Sequence, residues 1–271
     1  MTRHSLMRAP ESRLYKALSE SLRRVQRSVL SPLFWTWLKA AAQDRRDWMY
    51  PTGTPEVRIA GTDPARILII GDDTVAGFGV RTHQLGIGGH LARCLYENLA
   101  RGVVVTIAAQ PGASARSTLK RLGDVDVSGF DAIVLMLATT DAFCLTPRRS
   151  WRRNMTSLID FLKSADAPSM FVTSAASLQS ARSLPSFARR LTGRHACMLN
   201  VETKRICSQT GTTLISLDAA SDLTSRIYAR WARRIGSYLT ESLRKGTGQR
   251  PFNQDRLELH RTVPLTRRTP R

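Results

Sequence analysis

The sequence predicts an α/β protein whose parallel sheet is covered by helices on both faces. Five short apolar runs recur through its middle, amphipathic helix-like runs separate them, and the turn-like segments that follow the runs hold the candidate chemical groups. Such alternation suits strands buried on both faces and joined by crossover helices.

The strands are expected at Ile67 to Ile70, Val103 to Ala108, Ala132 to Leu137, Met170 to Thr173 and Thr213 to Leu217. Each is a brief apolar stretch, of strand rather than helix length. Helices are expected near His90 to Leu99, Ser114 to Leu122, Arg149 to Lys163, Phe187 to Ser208 and Thr224 to Leu243. The last shows its period best, with Ile227, Trp231, Ile235, Tyr238 and Leu239 on one face and Arg226, Arg230, Arg233 and Arg234 on the other.

This alternating region, residues 65–244, forms one domain with appendages on both sides. Residues 1–49 carry Leu14, Leu18, Leu22, Val25 and Val29 at three- and four-residue steps, with Arg13, Lys16, Arg23, Arg24 and Arg27 between them. That spacing predicts a basic amphipathic helix. Ser31-Pro32 then stops it and starts a second helix bearing Leu33, Phe34, Trp37 and Leu38. The Leu14 to Leu38 pair could meet an anionic membrane surface or a protein partner, or pack on its own domain. Residues 50–64 read as a linker and 245–271 as a disordered basic tail.

The formal charge of +20 comes mostly from arginine, since few of the 41 basic residues are lysine. The arginines are spread over predicted helix faces. Aromatic residues are not interleaved with them, and no nucleic-acid-binding pattern is present, so a nucleic-acid partner is not expected. Cys94, Cys144, Cys197 and Cys207 lack metal-site spacing and read as small core residues in a reducing compartment. No secretory signal or spanning segment is evident, which predicts a cytoplasmic protein, with peripheral membrane contact left open.

The most informative motif follows the first strand: Gly71-Asp72-Asp73-Thr74-Val75-Ala76-Gly77. It resembles the Gly-Asp-Ser block of GDSL/SGNH hydrolases, with Asp73 where the family carries its nucleophilic serine. Gln110-Pro111-Gly112-Ala113-Ser114-Ala115 resembles the second block, whose glycine N–H stabilises the oxyanion; Gly112 takes that place. Ala138-Thr139-Thr140-Asp141 stands where the family shows Gly-X-Asn-Asp, so Thr140 replaces the second oxyanion donor. Loss of one such donor typically costs roughly a hundredfold or more in rate.

Tyr228 and Trp231-Ala232 resemble the family's last helix. Counting back from them puts Asp222 at the histidine position and Ala219 at that of the triad acid, with Asp218 one residue away. No histidine lies between His195 and His260. Without imidazole, a hydroxyl nucleophile lacks its proton acceptor.

The resemblance spans about residues 32 to 244. It implies a flavodoxin-like three-layer α/β/α fold with a five-stranded parallel sheet and an ancestral ester hydrolase activity. With Asp73, Thr140 and Asp222 at the nucleophile, oxyanion and base positions, the expected protein is a catalytically impaired binding or regulatory module. A rearranged active esterase and a basic adaptor for anionic membrane or nucleic acid are the alternatives.

The resemblance also places Asp73 opposite Asp222. Two facing carboxylates would share a proton, recruit an arginine or hold a cation. The pocket ligand is therefore an unknown small molecule, for which a positive charge would suit. No cofactor or metal is expected, although Asp73 and Asp222 are the carboxylates that would hold a hard divalent cation. His83 reads as a loop residue and His90 as a surface or capping histidine.

Overall fold

A computed structural model describes residues 49–123, 127–164, 169–175, 186–220 and 222–246. The N-terminal helices and basic tail expected from sequence lie outside these residues.

The strands are β1 (Glu56–Ile59), β2 (Ala65–Gly71), β3 (Val103–Ala109), β4 (Ala132–Met136), β5 (Met170–Thr173) and β6 (Thr213–Ile215). The helices are α1 (Asp73–Ala76), α2 (Ile87–Leu99), α3 (Ala115–Leu122), α4 (Thr139–Phe143), α5 (Arg148–Ser164), α6 (Ser186–Thr210) and α7 (Ser225–Gly246). The sheet order is β1-β3-β2-β4-β5-β6. All neighbours from β3 to β6 pair in parallel.

The five expected strands are present in the flavodoxin-like order second-first-third-fourth-fifth. A sixth is added: β1 pairs antiparallel with β3, setting Val57 against Val105. It falls inside the segment read as a linker. Its four residues sit among prolines and glycines, and at the sheet edge only Val57 is buried.

Strand alternation sends Ile67 and Ile69 to one core and Leu68 and Ile70 to the other. The first core is completed by α2 and α7, through Leu91, Leu95, Tyr228, Trp231, Ile235 and Leu239. α3, α5 and α6 complete the second through Leu122, Trp151, Leu158, Leu199 and Ile206. Burying each such side chain contributes about 1.5–3 kcal/mol, so both layers are held firmly on the sheet.

Polar contacts set the register of these layers. The Trp151 indole N–H donates to Thr203 Oγ1 at 3.1 Å, and Trp231 donates to the Asp218 carbonyl at 3.2 Å. Glu202, buried within α6, accepts from both Arg148 and Arg152 of α5. The four cysteines are free thiols, and Cys197 is exposed rather than in the core. Its place on α6 explains this: buried Ala196 and Leu199 take the inward direction.

Candidate functional site

Ligand crevices in open α/β sheets form where strand order reverses, outside the strands' carboxyl ends. Here that point lies between β2 and β4. β2 delivers Asp72 and Asp73, β4 delivers Thr139 and Thr140, and the turn after β3 delivers Gly112.

Gly71 makes the turn possible. A Cβ there would lie 2.2 Å from Val75 Cγ2 and 2.4 Å from the Met136 carbonyl oxygen. Asp72 follows as the cap of α1, accepting from Thr74 N–H at 3.2 Å. Its other oxygen accepts from Thr139 N–H at 2.9 Å and Thr140 N–H at 3.4 Å, which ties the β2 and β4 turns together. Burial, followed by the neighbouring charge of Asp73, pushes the Asp72 carboxyl up to about 7. Asp141 accepts from Ala115 N–H and the Thr146 hydroxyl, both at 2.7 Å, and burial raises its pKa too.

Asp73 lies at the focus. Its Oδ2 accepts from Gly112 N–H at 3.0 Å and from the Thr140 hydroxyl at 3.2 Å; its Oδ1 accepts from the Tyr50 hydroxyl at 2.5 Å. Gly112 holds a φ of +72°, a left-handed conformation that glycine adopts without the strain other residues incur. The structure thus brings together Asp73, Gly112 and Thr140.

None of the described hydrogen bonds joins Asp222 or Asp218 to this cluster. Asp222 is exposed, and the hydrogen bonds at Asp73 come from Tyr50, Gly112 and Thr140 instead. Asp218 is largely exposed, 3.6 Å from Arg230 Nε. Among the described residues no group of three or more His, Cys, Asp or Glu is arranged to hold a metal ion.

Tyr50 is the participant that the sequence reading missed. It precedes the alternating pattern, and nothing in its local sequence links it to a carboxylate 23 residues away. The segment around it is tied down at several points: Gly79 N–H donates to the Met49 carbonyl at 2.9 Å, Ile107 N–H donates to the Pro55 carbonyl at 2.8 Å, and the Tyr50 ring meets Phe78 edge-on at 5.7 Å.

Beside this segment lies a cavity of about 250 Å³ walled by Tyr50, Pro51, Pro55, Ala76, Ile107 and Pro111, with His83 on its lining. His83 is buried, not an open loop residue, and burial lowers its pKa. His90 Nε2 lies 2.8 Å from Ser225 Oγ; burial, then Arg93 and Arg233, lower its pKa.

Ala138 holds local backbone strain beside the site. It has φ +109° at the start of α4, a conformation that strains any residue with a Cβ. Ala138→Gly is expected to stabilise the fold by about 1 kcal/mol, the strain relieved exceeding the entropy lost. Denaturant unfolding of the two proteins measures it, and a destabilised glycine variant would contradict the strain.

Residues 69–243 match the GDSL-like Lipase/Acylhydrolase family, and the chain belongs to that family. Among solved structures, a G-D-S-L family protein from Desulfitobacterium hafniense DCB-2 aligns with a TM-score of 0.51 at 9% identity, covering 66% of this chain and 99% of that one. The psychrotrophic esterase EstA from Pseudoalteromonas sp. aligns at 0.49 with 17% identity, over 68% and 99% of the two chains. The lipase/acylhydrolase from Enterococcus faecalis aligns at 0.48 with 16% identity, over 65% and 96%. At these identities the likeness is one of fold. No curated protein matches the chain.

Proposed function

We propose that this protein is a non-hydrolytic member of the GDSL family, a binding or regulatory module whose oxyanion site is filled by its own Asp73. One observation carries the reading: Gly112 N–H and the Thr140 hydroxyl both donate to Asp73 Oδ2. In a working site, donors of this kind await the charge that develops on the substrate. Here a resident anion takes them, and a second anion at the same place would be repelled. No histidine lies between His195 and His260, so a hydroxyl nucleophile would lack the imidazole that ordinarily accepts its proton.

The cavity beside Tyr50 is the ligand site in this reading. Its volume and apolar walls suit a small molecule, and Asp73, hydrogen-bonded to the lining Tyr50, favours one with a positive charge. The four free cysteines fit a reducing, cytoplasmic compartment.

The test is hydrolysis of p-nitrophenyl acetate and longer acyl esters by the native chain and by Asp73→Ala. Both proteins are expected to match the uncatalysed background. Turnover by the native chain that disappears in the variant would show a rearranged esterase and overturn the proposal.

A further inference from the structure

Helices α3, α5 and α6, which cover one face of the sheet, carry thirteen lysines and arginines against two acids. One of those acids, Glu202, is buried between Arg148 and Arg152 and cancels one of their charges, so the excess over the three helices is eleven. Along α6, Phe187, Arg190, Arg194, Cys197, Val201 and Lys204 are exposed at alternating steps of three and four residues. This spacing sets them in one outward stripe about 25 Å long. Phe187 is 51% exposed and Val201 67%, the largest exposures among the big apolar side chains described.

We propose that this stripe of α6 docks the protein peripherally on an anionic lipid surface. Charge excludes two other occupants: a second copy of this face would meet its own positive field, and so would the basic segment containing Arg13 to Arg27. A partner helix needs apolar anchors at adjoining i, i+3 and i+4 places. Here the two large apolar side chains, Phe187 and Val201, stand fourteen residues apart with Arg190 and Arg194 between them, and only the small Cys197 adjoins Val201.

That arrangement suits a lipid interface. Long cationic side chains reach anionic headgroups while isolated apolar side chains enter the acyl boundary. Among the described residues no helix is long and apolar enough to cross a membrane, so the contact is along the surface.

The experiment uses the full chain and sedimentation with vesicles of phosphatidylcholine, alone or mixed with phosphatidylglycerol. Binding is expected only to the mixed vesicles and should weaken as salt rises. The triple variant Arg190→Gln, Arg194→Gln, Lys204→Gln should bind on the order of a hundredfold more weakly at low salt, each basic contact contributing about fivefold. A control with the same charge change on the other face of the sheet, Arg226→Gln, Arg233→Gln, Arg234→Gln, should bind within about twofold of the native chain. Phe187→Ser with Val201→Ser should lower the binding that survives high salt.

All the substituted residues are exposed, so folding is preserved. Equal weakening in both triple variants would mean that net charge alone drives association, and the proposal falls. It falls too if native and α6 variant bind vesicles alike, or if the α6 variant loses affinity for duplex DNA while keeping its vesicle binding.

Discussion

Trp231→Ala is expected to lower the unfolding free energy by about 4 kcal/mol and the melting temperature by roughly 8–16 °C. The indole is 1% exposed, packs edge-on against Tyr228 at 6.2 Å between ring centres, and donates its N–H to the Asp218 carbonyl. Truncation opens a cavity in the core that joins α7 to α2 and the sheet. It also leaves the loop before α7 without its tether. Urea unfolding followed by circular dichroism measures the loss. Trp231→Phe keeps most of the volume and should retain more than half of the stability lost in the alanine variant. A loss below about 1 kcal/mol for alanine would contradict the packing described, since such truncations typically cost about 3–5.

Stability is expected to rise as the solution is acidified from neutral, because of Asp72. Its carboxyl ordinarily titrates at 3.8 and is raised to about 7 in the fold. Between those values the native state holds a proton that the unfolded chain releases. The stabilisation is therefore complete below the lower value and is lost as pH rises through the upper one. Between about pH 5.5 and about pH 8 the change is about 2 kcal/mol. Asp72→Asn should flatten this slope, leaving the contribution of Asp141, which is raised in the same direction. Unfolding midpoints across this range supply the comparison. Parallel slopes in native and variant proteins would clear Asp72 of the effect.

The parts of the fold legible in the sequence were those written in local periodicity. The runs at Ile67 and Val103 read as strands because they are short and apolar. α7 read correctly because its arginines and core residues separate cleanly at helical spacing. β1 escaped notice because Val57 is its one buried residue and prolines and glycines surround it.

Within the site, Asp73, Gly112 and Thr140 could be placed together because each follows a recognisable strand. Tyr50 could not, since its hydrogen bond to Asp73 exists only after the chain has crossed the sheet edge. Asp222 was placed by counting back from a helix. Such counting assigns a place along the chain, not a hydrogen-bond partner, and the described hydrogen bonds to Asp73 come from Tyr50, Gly112 and Thr140.

The pairing of β1 with β3 bears on how this domain can be divided. A fragment beginning at Ala65 would keep the five parallel strands yet leave one side of β3 without a backbone partner. An uncovered row of amide and carbonyl groups is a template on which further chains can stack. β1 thus covers the outer edge of β3, and a fragment that begins ahead of the family-matched residues, at residue 49, is expected to self-associate less than one that begins at Ala65.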